Sequence, residues 1–436
     1  MTDKYPSLKL EALTDPNRSI TYGVVKPGPK VEGEDAVKFI RGGDIANGSI
    51  LLEQLRTISP EVSTQYSRTL LRGGELLVSL VGNPGQVAIV PEDLKNANIA
   101  RQVGLVAVST KKVNPTYLKY YLLSRQGQAS LKASSLGSVQ QVINLKDLKE
   151  IEIPIPPKDK QKAIAHILGT LDDKIELNRR TNETLEAMAQ DLFKSWFVDF
   201  DPVIDNALEA GNPIPEDLAS RAETRRQVLG GGRADRETAK HFPDAFQPTD
   251  ELGWIPQGWT PKLISEVIKR MPTGKKFAQK TASTTGAVPI LDQGRSGIIG
   301  FHNEAPGVRA TPSNPIVVFA NHTCLMRLVM HDFSAIQNVL PFRSPDLNTT
   351  WLYFATERKQ KFVEYKGHWP DLIIQPLAIP STKLADVFER IAAPITRKIY
   401  ANTQQIETLG KLRDSLFPKL ISGDLTLATS VEFEAL

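Results

Sequence analysis

Cysteine is almost absent from this chain. Cys324 stands alone, so no internal disulfide can form and a reducing, cytoplasmic setting is expected. Long apolar runs are missing too: the stretch from Ile316 to Ala320 is typical, and nothing of that length crosses a bilayer. No basic-then-apolar leader follows Met1, which sets aside a secretory route. The signatures of catalysis are equally scarce. Gly274-Lys275-Lys276 lacks both the first glycine and the hydroxyl of a phosphate loop. Each Asn-Pro pair is followed by Gly85, Thr116, Ile214 or Ile316, so the Asn-Pro-Pro-aromatic element of amino-methyltransferases is missing. The six histidines, His166, His241, His302, His322, His331 and His368, have no close metal-ligand spacing. No Gly-x-Ser-x-Gly elbow occurs. The chain is therefore expected to carry no catalytic residue, no metal and no directly bound cofactor.

What the chain does have is length, mild positive charge and repetition. Its 436 residues are too many for one ordinary core and point to two to four domains. Hydrophobic residues make up 41% and charged residues 23%, as in soluble globular proteins. A formal net charge of +4 permits phosphate neutralisation without requiring it. The repeat is explicit. Lys174-Ile175, Asn178, Glu183-Thr184-Leu185 and Leu192-Phe193 return as Lys398-Ile399, Asn402, Glu407-Thr408-Leu409 and Leu416-Phe417, at a constant offset of 224. Upstream, Asn114-Pro-Thr-Tyr117-Leu118 resembles Asn348-Thr-Thr-Trp351-Leu352, and Ile151-Glu-Ile-Pro154 resembles Leu377-Ala-Ile-Pro380. Each half reads as a variable globular region, an Ile-Pro exit and a long helix.

Both repeated helices carry a heptad seam. The first runs Ile164, Leu168, Leu171, Ile175, Asn178, Asn182, Leu185, Ala189, Leu192, Trp196; the second runs Phe388, Ala392, Ile395, Ile399, Asn402, Ile406, Leu409, Arg413, Leu416, Leu420. Pro394 is expected to kink the second helix or delay its start, and Pro418 to end it. A polar residue in a seam fixes register, so Asn178 and Asn402 are expected to lie together at the midpoint of an antiparallel pair. A helix from Ile164 to Trp196 would be about 50 Å long at 1.5 Å per residue.

The globular regions read as short strands and turns. Expected strands are Phe39 to Ile45 (leading into a turn), Leu76 to Leu80, Gln86 to Val90, Val103 to Val108, Val288 to Leu291, Ile298 to Phe301, Ile316 to Ala320 and Leu325 to Val329. Expected helices are Pro115 to Leu131 and about Asn348 to Tyr365. The division this implies is 1–157 (first reader), 158–200 (first long helix), 201–250 (an exposed, partly ordered connector rich in Gly and charge), 251–381 (second reader), 382–424 (second long helix) and 425–436 (tail). Asp346 with Glu357-Arg358-Lys359 fits the loose acidic pattern of Mg²⁺-dependent nucleases, but Glu357 and Lys359 fall on an expected helix where that chemistry uses a strand.

Four segments carry a resemblance. Asp172 to Asn182 with Leu192 to Pro202, Leu252-Gly-Trp-Ile-Pro-Gln-Gly-Trp259, Leu412 to Gly423, and Gly137-Ser138-Val-Gln140 together resemble the specificity subunits of type I restriction–modification enzymes. In the second half Gly367-His368-Trp369-Pro370 stands where a Gly-Ser-x-Gln turn would be expected. The resemblance implies a mixed α/β (α+β) chain: two target-recognition domains separated by an antiparallel pair of coiled-coil helices in a pseudo-two-fold repeat. It implies a non-catalytic subunit that binds a split, asymmetric site in double-stranded DNA. Two methyltransferase subunits and restriction/translocase subunits would dock on it, bringing S-adenosylmethionine, ATP and Mg. Base edges and phosphates select Arg, Lys, Asn and Gln. The candidate DNA contacts are accordingly Arg41, Arg72, Arg101, Gln102, Lys111, Gln140 and Gln141 in the first half. In the second they are Lys275, Lys276, Arg295, Asn321, His322, Arg327, Gln337, Asn338 and Lys366. A nuclease and a scaffold that binds only proteins are the two other readings.

Overall fold

The computed structural model describes residues 5–52, 55–133, 142–230, 236–294, 297–422 and 425. The chain forms two compact units: Met1–Leu177 with Ile406–Leu436, and Asn178–Gln405. The boundaries differ from those expected because each long helix contributes one half to each unit.

In the first unit, β1 (Ser7–Lys9) pairs antiparallel with β9 (Glu152–Pro154), which is the Ile-Pro exit. A four-stranded antiparallel sheet has the order β2 (Thr21–Tyr22), β8 (Val103–Val106), β5 (Leu76–Ser79), β6 (Val87–Ile89). A second sheet places β3 (Val37–Ile40) between antiparallel β4 (Arg56–Ile58) and parallel β7 (Asn98–Ile99). β5 and β8 are buried along their whole length, which explains the apolar run Leu76–Val78 and the apolar Val103, Leu105 and Val106. One core lies between the sheets around Ile40, Leu77 and Leu105; another joins Val78 and Val106 to the helices.

Helix α1 (Pro115–Leu123) starts where Asn114 Oδ1 accepts the amides of Thr116 and Tyr117 at 2.9 and 3.1 Å, with Pro115 at the first position. The repeated Asn-x-Thr-aromatic motif is thus a helix cap. The expected helix to Leu131 breaks at Ser124, whose extended backbone and Oγ bond to the Gly127 amide start α2 (Arg125–Ala133). α3 (Leu145–Glu150) precedes β9, and α4 (Lys158–Phe197) follows it.

The second unit begins in α4. The expected open connector is instead helical: α5 (Asp201–Ala210) and α6 (Ala219–Gly230) are clamped by Asp201–Arg221 at 2.6 Å and by Asp205–Arg225. Both acids and both arginines are four residues apart, so one pair of helix faces meets. Val203, Ile204 and Ala207 are buried beneath them. The sheets then repeat. β10 (Thr260–Leu263) pairs with β18 (Pro376–Ile379). The four-stranded sheet runs β11 (Lys269–Arg270), β17 (Val339–Arg343), β14 (Ile316–Ala320), β15 (Met326–Val329). β12 (Val288–Leu291) lies between antiparallel β13 (Ile298–His302) and parallel β16 (Ser334–Ala335). In these three sheets strand order and direction match the first unit. α7 (Thr349–Thr356), capped by Asn348 Oδ1, ends before Tyr365 because Arg358 turns to φ 64°. α8 (Trp369–Ile373) occupies the place of α3.

α9 (Thr382–Ser422) runs through both Pro394 and Pro418. An interior proline costs about 3 kcal/mol, and burial of Ala392, Ala393, Leu420 and Ile421 beside the two prolines offsets it. α4 and α9 are antiparallel in each unit. In the second, Asn178 Nδ2 donates to Gln405 Oε1 and Asn402 Nδ2 to Asn182 Oδ1, both at 2.8 Å. Asn178 and Asn402 are both buried, and each meets a partner about one helical turn from the other, so two amide pairs join the helices at this level. In the first unit Asp172 meets Arg413 at 2.8 Å.

Candidate nucleic-acid interface

Three backbone bonds gather one edge of the first unit. The Ala100 amide donates to Ile40 O at 2.9 Å, Leu80 to Gln102 O at 2.8 Å and Ile143 to Leu80 O at 2.9 Å. The segments after β3, between β5 and β6, and before β8 therefore meet next to the entry to α3. Gly42 is held there because a Cβ would lie 3.0 Å from Ser79 Oγ and 3.1 Å from Val81 O. Arg41, Arg101 and Gln102 are exposed on this edge. The Arg41 guanidinium faces Asp44, Nη2 to Oδ1 at 2.9 Å and Nε to Oδ2 at 3.1 Å; this carboxylate raises the arginine's pKa. Arg72 precedes β5 and Lys111 follows β8, so both lie at the other end of those strands. Gln140 and Gln141 lie outside the described residues.

The second unit is bonded alike: Ile336 N to Leu291 O at 3.1 Å, Asn321 N to Asn338 O at 3.0 Å, His368 N to Asn321 O at 2.8 Å. Through these bonds Gln337 and Asn338 take the places of Arg101 and Gln102, and His368 that of Ile143. Asn321, His322, Gln337, Asn338 and Lys366 come together on this edge; Lys276 bridges to Ala335 beside it. Several of them also hold the loops. Asn321 Oδ1 accepts the Trp369 amide at 2.8 Å, and Lys366 reaches Asp371 at 3.2 Å. Arg327 Nη1 donates to Asp292 O at 3.0 Å and Nη2 to Gly294 O, so its guanidinium braces the turn after β12; burial lowers its pKa. Lys275 pairs with Glu304 at 2.5 Å, and Lys276 donates to Thr273 Oγ1, its pKa lowered by burial and by Arg270. Arg295 lies outside the described residues.

Two features escaped sequence reading. Gln293 Oε1 accepts the His322 amide at 2.8 Å, tying two of the loops together. Phe362, Val363 and Tyr365 are 55%, 79% and 81% exposed beside this edge; the signal was an apolar cluster inside the lysine-rich run Lys359–Lys366. The acidic pattern resolves differently from a metal site. Burial raises the Glu357 pKa, its Oε2 accepts from Gln190 at 3.4 Å, and Lys359 donates to Pro376 O at 3.4 Å. Among the described residues no group of three or more His, Cys, Asp or Glu is placed to hold a metal ion, and no helix is long and apolar enough to cross a membrane.

Comparison with known proteins meets this geometry. The family model for the type I restriction modification DNA specificity domain matches residues 26–187. The HindI specificity subunit of Haemophilus influenzae is 25% identical over 89% of this chain and 94% of its own length. The EcoBI specificity subunit of Escherichia coli is 32% identical over 52% of this chain and 49% of its own. Among solved structures, the type I restriction–modification S subunit from M. genitalium shares the fold, with a TM-score of 0.57 at 14% identity and 96% coverage of both chains. Residues 26–187 thus match the DNA specificity domain of type I restriction–modification systems, and the chain is similar along most of its length to the specificity subunits of such systems.

Proposed function

We propose that each unit is a target-recognition domain reading one half of a split, asymmetric DNA site, with the paired α4 and α9 setting the gap. The chain is the non-catalytic member of its complex. Two methyltransferase subunits and the restriction/translocase subunits would assemble on it in the cytoplasm, with S-adenosylmethionine, ATP and Mg held by those partners. The observation that supports this most is the pairing of equivalent edges with unlike side chains: Arg101 and Gln102 in one unit, Gln337 and Asn338 at the same places in the other. Equivalent frames carrying different donors and acceptors suit two different half-sites.

Gln102→Ala and Gln337→Ala should each relax one base position, in opposite halves of the site, at a cost of about 1–3 kcal/mol per lost bidentate contact. Lys111→Ala, at the far end of β8, should leave sequence preference unchanged. Binding of the assembled complex to duplexes altered in one half at a time measures this. Relaxation in the same half by both glutamine variants would contradict the assignment.

A further inference from the structure

The segment 360–368 presents three large apolar side chains to solvent, yet it is held firmly. His368 is fully buried; its Nε2 lies 2.9 Å from Glu364 O, and its Nδ1 lies 3.3 Å from both Gln360 Nε2 and Asp371 Oδ2. Its amide is bonded to Asn321 O at 2.8 Å, and a Cβ on Gly367 would stand 3.0 Å from Asn321 Nδ2. Lys366 closes the base of the loop on Asp371 at 3.2 Å and Glu364 at 3.5 Å. The Tyr365 ring meets His322 edge-on at 5.0 Å between centroids, and Phe362 meets His368 at 6.0 Å. A braced loop that keeps Phe362, Val363 and Tyr365 out of the core spends hydrophobic surface on something outside the unit.

Resting on the reading above, we infer that this loop is an apolar wedge for duplex DNA, with Tyr365 and Phe362 entering the base stack of the half-site read by the second unit. Charge selects the occupant. Lys359 and Lys361 lead into the apolar tip, while Lys366 behind it is paired with Asp371 and Glu364, so the free cationic charge lies on the entry side of a tip suited to the faces of bases. That arrangement matches phosphates outside and stacked bases within. The wedge stands beside Gln337, Asn338 and His322, so insertion and base reading would occur in the same groove region. His368 is a positioning residue: it sets the loop without facing the DNA.

The test uses the complete complex with its methyltransferase subunits and duplexes carrying 2-aminopurine at successive steps of each half-site. Wild type should raise 2-aminopurine fluorescence at one step of one half. Phe362→Ala/Tyr365→Ala should abolish that rise and weaken specific binding about 10-fold or more, as expected for lost base stacking, while the complex still assembles. Tyr365→Trp should preserve the rise. An unchanged signal in the double alanine variant, or normal DNA binding by it, overturns the wedge. Failure of that variant to bind methyltransferase subunits, with wild-type fluorescence flat, shows a protein-docking loop and also overturns it. Absence of any specific binding by the wild-type complex would refute the proposed function itself, a result separable from the others.

Discussion

Asp172→Ala should destabilise the first unit by about 1–3 kcal/mol, because removing the shared carboxylate of a half-buried ion cluster strands its partners. Asp172 on α4 accepts from Tyr120 Oη at 2.6 Å, Arg413 Nη1 at 2.8 Å and Lys119 Nζ at 3.2 Å. One carboxylate therefore ties α1, α4 and α9 together. Burial alone would raise its pKa, but Lys119, Tyr120 and Arg413 outweigh burial and hold it below the usual aspartate value. The folded pKa lies under the unfolded one, about 3.9. The cluster therefore stabilises above that value, and the contribution is lost as pH falls through the folded pKa. Urea unfolding followed by circular dichroism at pH 7 and at pH 3 measures both effects. A loss under about 1 kcal/mol at pH 7 would mean a solvent-screened pair, not a shared, half-buried hub.

Phe193→Ala should cost the second unit about 3–5 kcal/mol, the range for emptying a buried aromatic site. Its ring centroid lies 5.0 Å from Phe197, 5.5 Å from Phe388 and 6.0 Å from both Trp351 and Phe354. The cluster joins α4, α7 and α9 within one core. All five tryptophans, Trp196, Trp254, Trp259, Trp351 and Trp369, belong to this unit. Tryptophan emission should therefore track Phe193→Ala closely and Asp172→Ala weakly. Equal shifts of the emission transition in both variants would show that the two units unfold as one.

The parts legible from sequence were those set by local rules. The heptad seams became α4 and α9, and the apolar run Ile316–Ala320 became a central strand with the expected bounds. The Asn114 and Asn348 motifs marked helix starts that side-chain capping explains. What was not legible depends on tertiary partners. The Asp201/Asp205 and Arg221/Arg225 clamp looks like scattered charge until two helices face each other. The 224-residue offset relates the helices in sequence, whereas the antiparallel register follows from where their ends pack; hence Asn178 meets Gln405 and Asn402 meets Asn182. The candidate contacts divide similarly. Residue type pointed to Arg41, Arg101, Gln102, Gln337 and Asn338, which the strands gather. It could not reveal that Arg72 and Lys111 lie at the opposite strand ends, or that Arg327 is engaged with backbone carbonyls.

The division of labour between two readers and a ruler is tested most directly by the methylation pattern. The chain is co-expressed with its methyltransferase subunit in a host free of adenine methylation, and methylated adenines are mapped by long-read sequencing. Two short, unlike blocks separated by a fixed run of unspecified bases are predicted. Methylation at one continuous or palindromic site would contradict the two-reader geometry.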